Sequence, residues 1–145
     1  MKAAPTSVRL SVVMPAFNEE SRLPSTLRQS IDYLQSQPYK SEIIIVDDGS
    51  RDRTCEVARG YSGSAVPVSL LSHPDGANHG KGASIKRGML SSKGEYRLFM
   101  DADNSTTLDQ IANFWLQFER GCDVAIGSRA LGDSSVSTNS TNCPS

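Results

Sequence analysis

Apolar and polar positions alternate in blocks along the chain, and these blocks predict strands separated by helices. Five apolar runs rich in Val and Ile are followed by Gly, Pro, Asp or Ser, as strands commonly are. The predicted strands cover residues 9–14, 42–46, 66–71, 96–100 and 123–126. We expect Pro15 to end the first strand, because proline cannot donate to a sheet ladder. Pro67 would place the third strand at a sheet edge or delay its start.

The segments between these runs carry apolar residues at helical spacing. Four apolar residues of segment 21–37 fall on one face of a helix: Leu23, Leu27, Ile31 and Leu34. Further helices are predicted at 52–58, 81–91 and from 107 onward. The alternation of strand and helix favours an α/β fold with a mostly parallel sheet. Right-handed crossovers would then bring the loops after all five strands to one sheet edge.

Composition and charge exclude several classes of protein. Fifteen Lys and Arg against sixteen Asp and Glu give a net charge of −1, which argues against a nucleic-acid partner. No apolar run approaches the ~18 residues of a membrane helix, and residues 1–7 lack the apolar core of a secretory signal. Three cysteines without CxxC spacing fit neither a disulfide framework nor a zinc site, so we expect a cytoplasmic protein.

The character of the chain changes after residue 131. Residues 134–145 include nine Ser, Thr or Asn and no charged side chain, which is typical of a disordered tail. We therefore predict an N-terminal extension over 1–7, one folded domain over 8–131 and a disordered polar tail over 132–145.

Acidic residues follow three of the predicted strands, at 18–20, 47–48 and 101–103. In open α/β sheets, ligands bind beyond the carboxyl ends of the strands. Carboxylates that converge there repel one another unless a cation or hydrogen-bond donors offset the charge. A divalent cation that bridges a diphosphate needs only one or two of them. Asp47 and Asp52 also suit a turn or a helix cap.

Two other phosphate-binding motifs and one phosphatase motif are partly matched by the sequence. Segment 80–84 contains Gly-Lys, but Asp75 stands where a P-loop needs glycine, and the loop after the first strand lacks the glycines of a dinucleotide fingerprint. Segment 98–105 comes close to the Asp-x-Asp-x-Thr motif of haloacid-dehalogenase-type phosphatases. In that family the motif follows the first strand of the core, whereas here it follows the fourth predicted strand. A phosphatase of this type is therefore a minor alternative.

Several blocks in order make the chain resemble the family 2 glycosyltransferases of the GT-A fold. They are SVVMPAFNEE at 11–20, IIIVDDGS at 43–50, GKG at 80–82, FMDAD at 99–103 and VAIGSR at 124–129. Within that family the chain looks most like the dolichyl- or polyprenyl-phosphate sugar transferases, and segments 22–24 and 104–106 lean toward the glucosyl-transferring branch. The resemblance covers about residues 8–131 and implies a Rossmann-like, mostly parallel sheet, truncated here after about the fifth strand.

The resemblance also implies roles for individual residues. A nucleotide-sugar donor would contact ten positions: Pro15, Ala16, Phe17, Glu19, Val46, Asp48, Lys81, Asp101, Ala102 and Arg129. Asp48 would read the base, with Val46 behind it, and Lys81 would lie near the phosphates. Asp101 and Asp103 would hold Mg²⁺ or Mn²⁺.

The activity implied by the resemblance is metal-dependent, inverting transfer of a hexose to dolichyl or polyprenyl phosphate, with UDP-glucose as the expected donor. The family normally continues beyond the Gly-Ser-Arg block with a part that builds the acceptor site, and a polar tail stands there in this sequence. No catalytic residue is therefore assigned, and a truncated, non-catalytic nucleotide-sugar-binding module is the alternative. Peripheral association with the cytoplasmic membrane face and oligomerisation through exposed apolar surface are further expectations.

Overall fold

A computed structural model describes residues 7–127 and the backbone of 136–137. The chain divides into two compact units between Thr107 and Leu108. The first unit alternates strands with helices, as the sequence predicts. Its elements are β1 (Leu10–Ala16), α1 (Leu23–Gln35), β2 (Ser41–Asp47), α2 (Thr54–Arg59), β3 (Val68–Ser72), α3 (Lys81–Ser91) and β4 (Tyr96–Phe99).

The four strands of this unit form one parallel sheet in the order β3-β2-β1-β4. The two central strands, β1 and β2, are almost wholly buried, which their continuous apolar runs predict for a sheet covered on both faces. Strand β3 lies at an edge, which confirms the position inferred from Pro67. The expected α/β class with a parallel sheet is confirmed.

Pro15 lies inside β1, and the prediction that it ends the strand is wrong. Residues of a strand hydrogen-bond alternately to the neighbour on either side. Val13 faces β4, because its carbonyl accepts the Met100 N–H at 3.0 Å. Two residues further on, Pro15 faces the same side, but β4 already ends at Phe99. The missing N–H of the proline therefore costs the sheet no hydrogen bond.

The helices pack on this sheet through the residues that their spacing predicts. On α1, the buried side chains include all four apolar residues of the predicted face: Leu23, Leu27, Ile31 and Leu34. Helix α3 contacts β1 and β2 at Gly88, where an added Cβ would lie only 2.3 Å from Cγ1 of Val13 and 3.0 Å from Cγ2 of Val46. Glycine is therefore required for the close approach of this helix to the sheet.

The second unit differs from the expectation of a fifth parallel strand. A 3₁₀ turn (Leu108–Ile111) leads into α4 (Ala112–Glu119), in which the Trp115 and Phe118 rings meet edge to face at 6.2 Å. The predicted strand 123–126 is wrong: β5 covers only Ile126–Gly127 and pairs antiparallel with β6 (Val136–Ser137) in a separate sheet. The apolar run is too short, and its Val124 and Ile126 side chains too exposed, to make a buried sheet strand.

Two further expectations concern parts of the chain near its ends. The extension 1–7 and the polar tail 132–145 lie outside the described residues, apart from Ser7 and the backbone of β6. Cys55 is a free thiol, but Cys122 is disulfide-bonded, so the expectation that the cysteines form no disulfide is wrong. Within the described ranges, no helix has the length and apolar character needed to cross a membrane.

The glycine at the α3 contact gives a test of packing against helix propensity. We expect Gly88→Ala to lower the free energy of unfolding, because overpacking a core costs about 1–3 kcal/mol and alanine returns at most about 1 kcal/mol of helix propensity. Gly82→Ala in the same helix meets no atom within 4 Å and should be neutral or stabilising. Urea unfolding of both variants checks this, and equal stabilities would contradict the packing argument.

Candidate functional site

A cavity of about 340 Å³ opens beyond the carboxyl ends of β1, β2 and β4 in the first unit. Its walls are Pro15, Ala16, Phe17, Glu19, Asp48, Asn78, Gly80, Lys81, Asp101, Ala102 and Asp103. Of the donor and metal positions that the resemblance implies, all those within the described residues lie on these walls except Val46. The parallel sheet thus brings residues up to about ninety positions apart in sequence to one cavity, as expected for this class of fold.

Two predicted site residues, Val46 and Arg129, need separate comment. Val46 has no exposed surface and packs with Val13 and Ile44 in the sheet core, so it lies behind the cavity. Arg129 lies outside the described residues, and its place near the donor remains a prediction.

The loops after β1 and β2 hold each other through side-chain hydrogen bonds. The Asn18 N–H donates to Oγ of Ser50 at 2.9 Å, and the Arg51 N–H donates back to Oδ1 of Asn18 at 2.9 Å. The backbone of Asn18 is left-handed (φ +51°), a conformation that asparagine tolerates better than most residues. Nearby, the Glu19 N–H donates to Oγ1 of Thr54 at 2.8 Å. These bonds tie the loop after β1, which carries Phe17 and Glu19 of the cavity wall, to the loop after β2.

A second pair of reciprocal bonds continues this contact. The Glu20 N–H donates to Oδ2 of Asp52 at 3.2 Å, and the Arg53 N–H donates to Oε2 of Glu20 at 3.1 Å. Oδ1 of Asp52 also accepts the Thr54 N–H at 2.9 Å, two residues further on, which is the turn role expected of it. The N-cap of α2 is Arg53, which makes no side-chain capping bond, so the alternative that Asp52 caps this helix is wrong. Asp47 accepts the N–H groups of its own turn, as a turn residue does.

Asp48 organises a third loop of the site. Its carboxylate is almost fully buried and accepts the His79 N–H at 2.7 Å and the Gly80 N–H at 3.0 Å, one on each oxygen. The His73 ring, also buried, lies 3.3 Å from Oδ1 of Asp48 and 3.0 Å from Oγ of Ser84. The loop before α3 is therefore tied to the end of β2 through one carboxylate.

Two glycines allow this loop to approach. Gly49 has a left-handed backbone (φ +79°), and a Cβ there would lie 2.8 Å from the backbone nitrogen of Asn78. Gly80 precedes α3 with φ +91° and ψ 161°, a region that is nearly restricted to glycine. The backbone of the DDGS block thus packs against the backbone of residues 77–78, directly before the GKG block.

The far wall of the cavity carries the charges that bear on metal and phosphate. Lys81, the first residue of α3, donates from Nζ to Oδ1 of Asp101, and both side chains are substantially exposed. Hydrogen bonds from Ser105 hold the pKa of the Asp103 carboxyl below its ordinary value, with a smaller contribution from the positive charge of Arg22. Asp103 is therefore anionic at neutral pH, the state that a cation ligand requires.

These residues fit a divalent cation of the magnesium type. Asp101 and Asp103 offer hard oxygen donors on one cavity, and such a cation typically takes one or two carboxylates together with phosphate oxygens and water. Across residues 7–127, no cluster of three or more His, Cys, Asp or Glu side chains forms a site that protein alone would complete. The donor set therefore suits a cation that arrives with an anionic ligand.

The family model described as "Glycosyl transferase family 2" matches residues 11–142. The chain belongs to this family. The haloacid-dehalogenase alternative is therefore wrong: its motif likeness is limited to a few residues after β4, whereas the family match spans nearly the whole chain.

Individual relatives are similar to this family 2 chain over most of its length. The dolichyl-phosphate beta-glucosyltransferase ALG5A of Trichomonas vaginalis is 46% identical over 110 residues, which cover 72% of this chain and 33% of that protein. The Drosophila melanogaster dolichyl-phosphate beta-glucosyltransferase is 40% identical, with coverage of 92% and 45%. The chain thus spans a third to less than half of the length of these two relatives.

Solved structures of similar fold confirm the GT-A architecture. The mannosyltransferase PcManGT of Pyrobaculum calidifontis, in complex with GDP-Man and Mn²⁺, has a TM-score of 0.68 at 22% identity, covering 82% of this chain and 34% of its own. The glucosyl-3-phosphoglycerate synthase of Mycobacterium tuberculosis, in complex with UDP, has a TM-score of 0.53 at 28% identity, covering 66% and 34%.

Sequence reasoning missed several residues that build the site of this family 2 domain. Asn78 and Gly80 line the cavity, and Asn18, Ser50 and Thr54 hold the two entrance loops together. Asn18 and Ser50 stand in the blocks that carry the family resemblance, and short polar residues commonly bond to neighbouring backbone, but neither signal names a partner. Their partners, more than thirty residues away, cannot be assigned from local pattern.

The role of Asp48 in holding the loop is testable by amide exchange. In Asp48→Asn, one backbone N–H would face the amide NH₂, and an unsatisfied buried donor costs about 1–3 kcal/mol. We expect the His79 and Gly80 amides to exchange about tenfold faster or more, measured by NMR. Asp32→Asn is the control, because Asp32 is an exposed carboxylate on α1, outside this loop. Unchanged protection in Asp48→Asn would refute this role.

Proposed function

We propose that this chain binds a nucleotide-sugar donor together with a divalent cation, and that the protein transfers the hexose to a dolichyl or polyprenyl phosphate with inversion. The observation that carries the proposal is the make-up of one cavity. Its walls combine an exposed aromatic ring, a buried carboxylate, an ammonium group and a pair of aspartates: Phe17, Asp48, Lys81, Asp101 and Asp103.

The nucleoside would lie at the Phe17 and Asp48 end of the cavity. The Phe17 ring is 47% exposed, which leaves it free to stack on a flat heterocycle. Oδ1 of Asp48 accepts the His79 N–H and lies 3.3 Å from the His73 ring, whereas Oδ2 accepts the Gly80 N–H, and a carboxylate has about four acceptor sites. Remaining capacity would accept the N3–H of uracil, so Asp48 would combine base recognition with the support of its loop.

The diphosphate would lie at the opposite end, between Lys81 and the aspartates. Lys81 would turn from Asp101 toward the phosphate oxygens, and this exchange would leave Asp101 free as a cation ligand beside Asp103. A bound Mg²⁺ or Mn²⁺ would neutralise the charge that develops on the leaving nucleoside diphosphate. The residues of this chain would orient the donor, so that its anomeric carbon faces the acceptor in line.

The choice of donor and acceptor rests on the relatives. Those named above are dolichyl-phosphate beta-glucosyltransferases, and a Pseudomonas paraeruginosa relative at 35% identity is an undecaprenyl-phosphate 4-deoxy-4-formamido-L-arabinose transferase. We therefore propose UDP-glucose as donor and a lipid-linked phosphate as acceptor. Such an acceptor is already anionic and needs little base assistance. It would also bring the protein to the cytoplasmic face of a membrane.

Binding of the donor provides the first test. We expect UDP-glucose to bind the 145-residue chain in the presence of Mn²⁺, and Asp103→Asn to weaken this binding at least tenfold by loss of a charged ligand, about 1.4 kcal/mol or more. Isothermal titration calorimetry with and without Mn²⁺ measures it. The control is Asp32→Asn, an exposed carboxylate on α1 away from the cavity. Equal affinity in Asp103→Asn and the control would contradict the metal role.

Transfer assays with radiolabelled UDP-glucose and dolichyl phosphate separate the two forms of the proposal. Glucose recovered in the lipid fraction supports transfer by this chain itself. Binding without transfer supports the alternative, a nucleotide-sugar-binding module, and GDP-mannose in place of UDP-glucose tests the choice of nucleotide.

A further inference from the structure

The turn that carries Asp101 and Asp103 receives no support from the sheet. Strand β4 ends at Phe99, and its last bond to β1 is the Met100 N–H to the Val13 carbonyl. The following residues, 101–104, lie outside the ladder, and two of them bond to side chains of α1. A cation that depends on two carboxylates in this turn depends on whatever holds the turn in place.

Thr26 of α1 supplies one hold. Its hydroxyl donates to the Ala102 carbonyl at 2.7 Å, across 76 positions of sequence, and both residues are buried. The Arg22 carbonyl, one helical turn back, also lies within 3.2 Å of the same hydroxyl. A hydroxyl has one proton to give, and the shorter distance assigns it chiefly to Ala102. Ala102 stands between the two aspartates, so its carbonyl sets the direction of the turn.

Gln29, on the same face of α1, supplies a second hold. The Asn104 side-chain amide donates to Oε1 of Gln29 at 3.0 Å. Asn104 has a left-handed backbone (φ +58°), which asparagine tolerates better than most residues, and this places its side chain against α1. Thr26 and Gln29 are three residues apart and therefore neighbours on the helix surface. Together they bond to Ala102 and Asn104, the residues that directly follow Asp101 and Asp103.

We propose that Thr26 and Gln29 are positioning residues that hold the Asp101–Asp103 turn in the shape that binds the cation. This inference rests on the proposed function. Neither side chain lines the cavity, and both act through the backbone or side chain of the turn. Groups that orient metal ligands in this way typically account for 10–100-fold in metal affinity. We expect the loss of either hydrogen bond to the turn to weaken binding of the cation about tenfold.

A purely structural role for Thr26 would lower stability and leave the cation untouched, and the experiment separates the two. Free Mn²⁺ is counted by electron paramagnetic resonance during titration of the full chain, with and without UDP. Thr26→Val keeps the shape of threonine without the hydroxyl, and we expect about tenfold weaker Mn²⁺ binding. Thr26→Ser keeps the hydroxyl, and we expect near-normal affinity. Unfolding temperatures of both are recorded alongside.

The control is Ser30→Ala, which removes another buried hydroxyl of α1 one turn further along the helix. It should leave Mn²⁺ affinity unchanged. Gln29→Met and Gln29→Glu give an independent pair, because Gln29 is exposed and its loss does not threaten folding. Methionine lacks the acceptor and should weaken Mn²⁺ binding, whereas glutamate retains an acceptor oxygen and should bind at least as well.

The outcomes decide between the two proposals. Wild-type Mn²⁺ affinity in Thr26→Val and Gln29→Met overturns the positioning role while the proposed function stands. Equal weakening in Thr26→Val, Thr26→Ser and Ser30→Ala overturns it as well, because the effect would then follow from helix packing. A wild-type chain that binds no Mn²⁺, with or without UDP, overturns the positioning role and the metal-dependent function together.

Discussion

The cavity depends on reciprocal hydrogen bonding between the loops that follow β1 and β2. These two strands stay paired up to their carboxyl ends, where the Asp48 N–H donates to the Ala16 carbonyl at 2.9 Å. Beyond that point each loop lends side-chain acceptors to the backbone of the other, as between Asn18 and Arg51. Apolar contacts cannot fix such exposed polar loops, so these directional bonds give the site its shape.

Four aspartates gather in one region, and each is stabilised by a different partner. Asp47 is satisfied within its own turn, Asp48 by a neighbouring loop, Asp101 by Lys81 and Asp103 by Ser105. Mutual repulsion is therefore offset by donors and by one cation side chain of the protein itself. The two that remain accessible, Asp101 and Asp103, are also the two that face the proposed diphosphate.

Much of the fold follows from pattern alone. The helix predicted at 81–91 has those bounds in the structure, and the apolar runs at 42–46 and 66–71 lie within or near β2 and β3. Pro15 could not be placed, because its tolerance depends on the length of a strand eighty residues away. Thr26 could not be recognised either: on an apolar helix face it resembles any small core residue, and its partner Ala102 is distant in sequence.

The Gly88 contact has a consequence at the other end of its helix. Lys81 begins α3 seven residues earlier, about 10 Å along the axis at 1.5 Å per residue. Because Val13 and Val46 leave no space for a side chain at Gly88, they set the distance between helix α3 and the sheet. The height of the lysine above the cavity floor is therefore decided by a residue without a side chain, two turns away and wholly out of reach of any ligand.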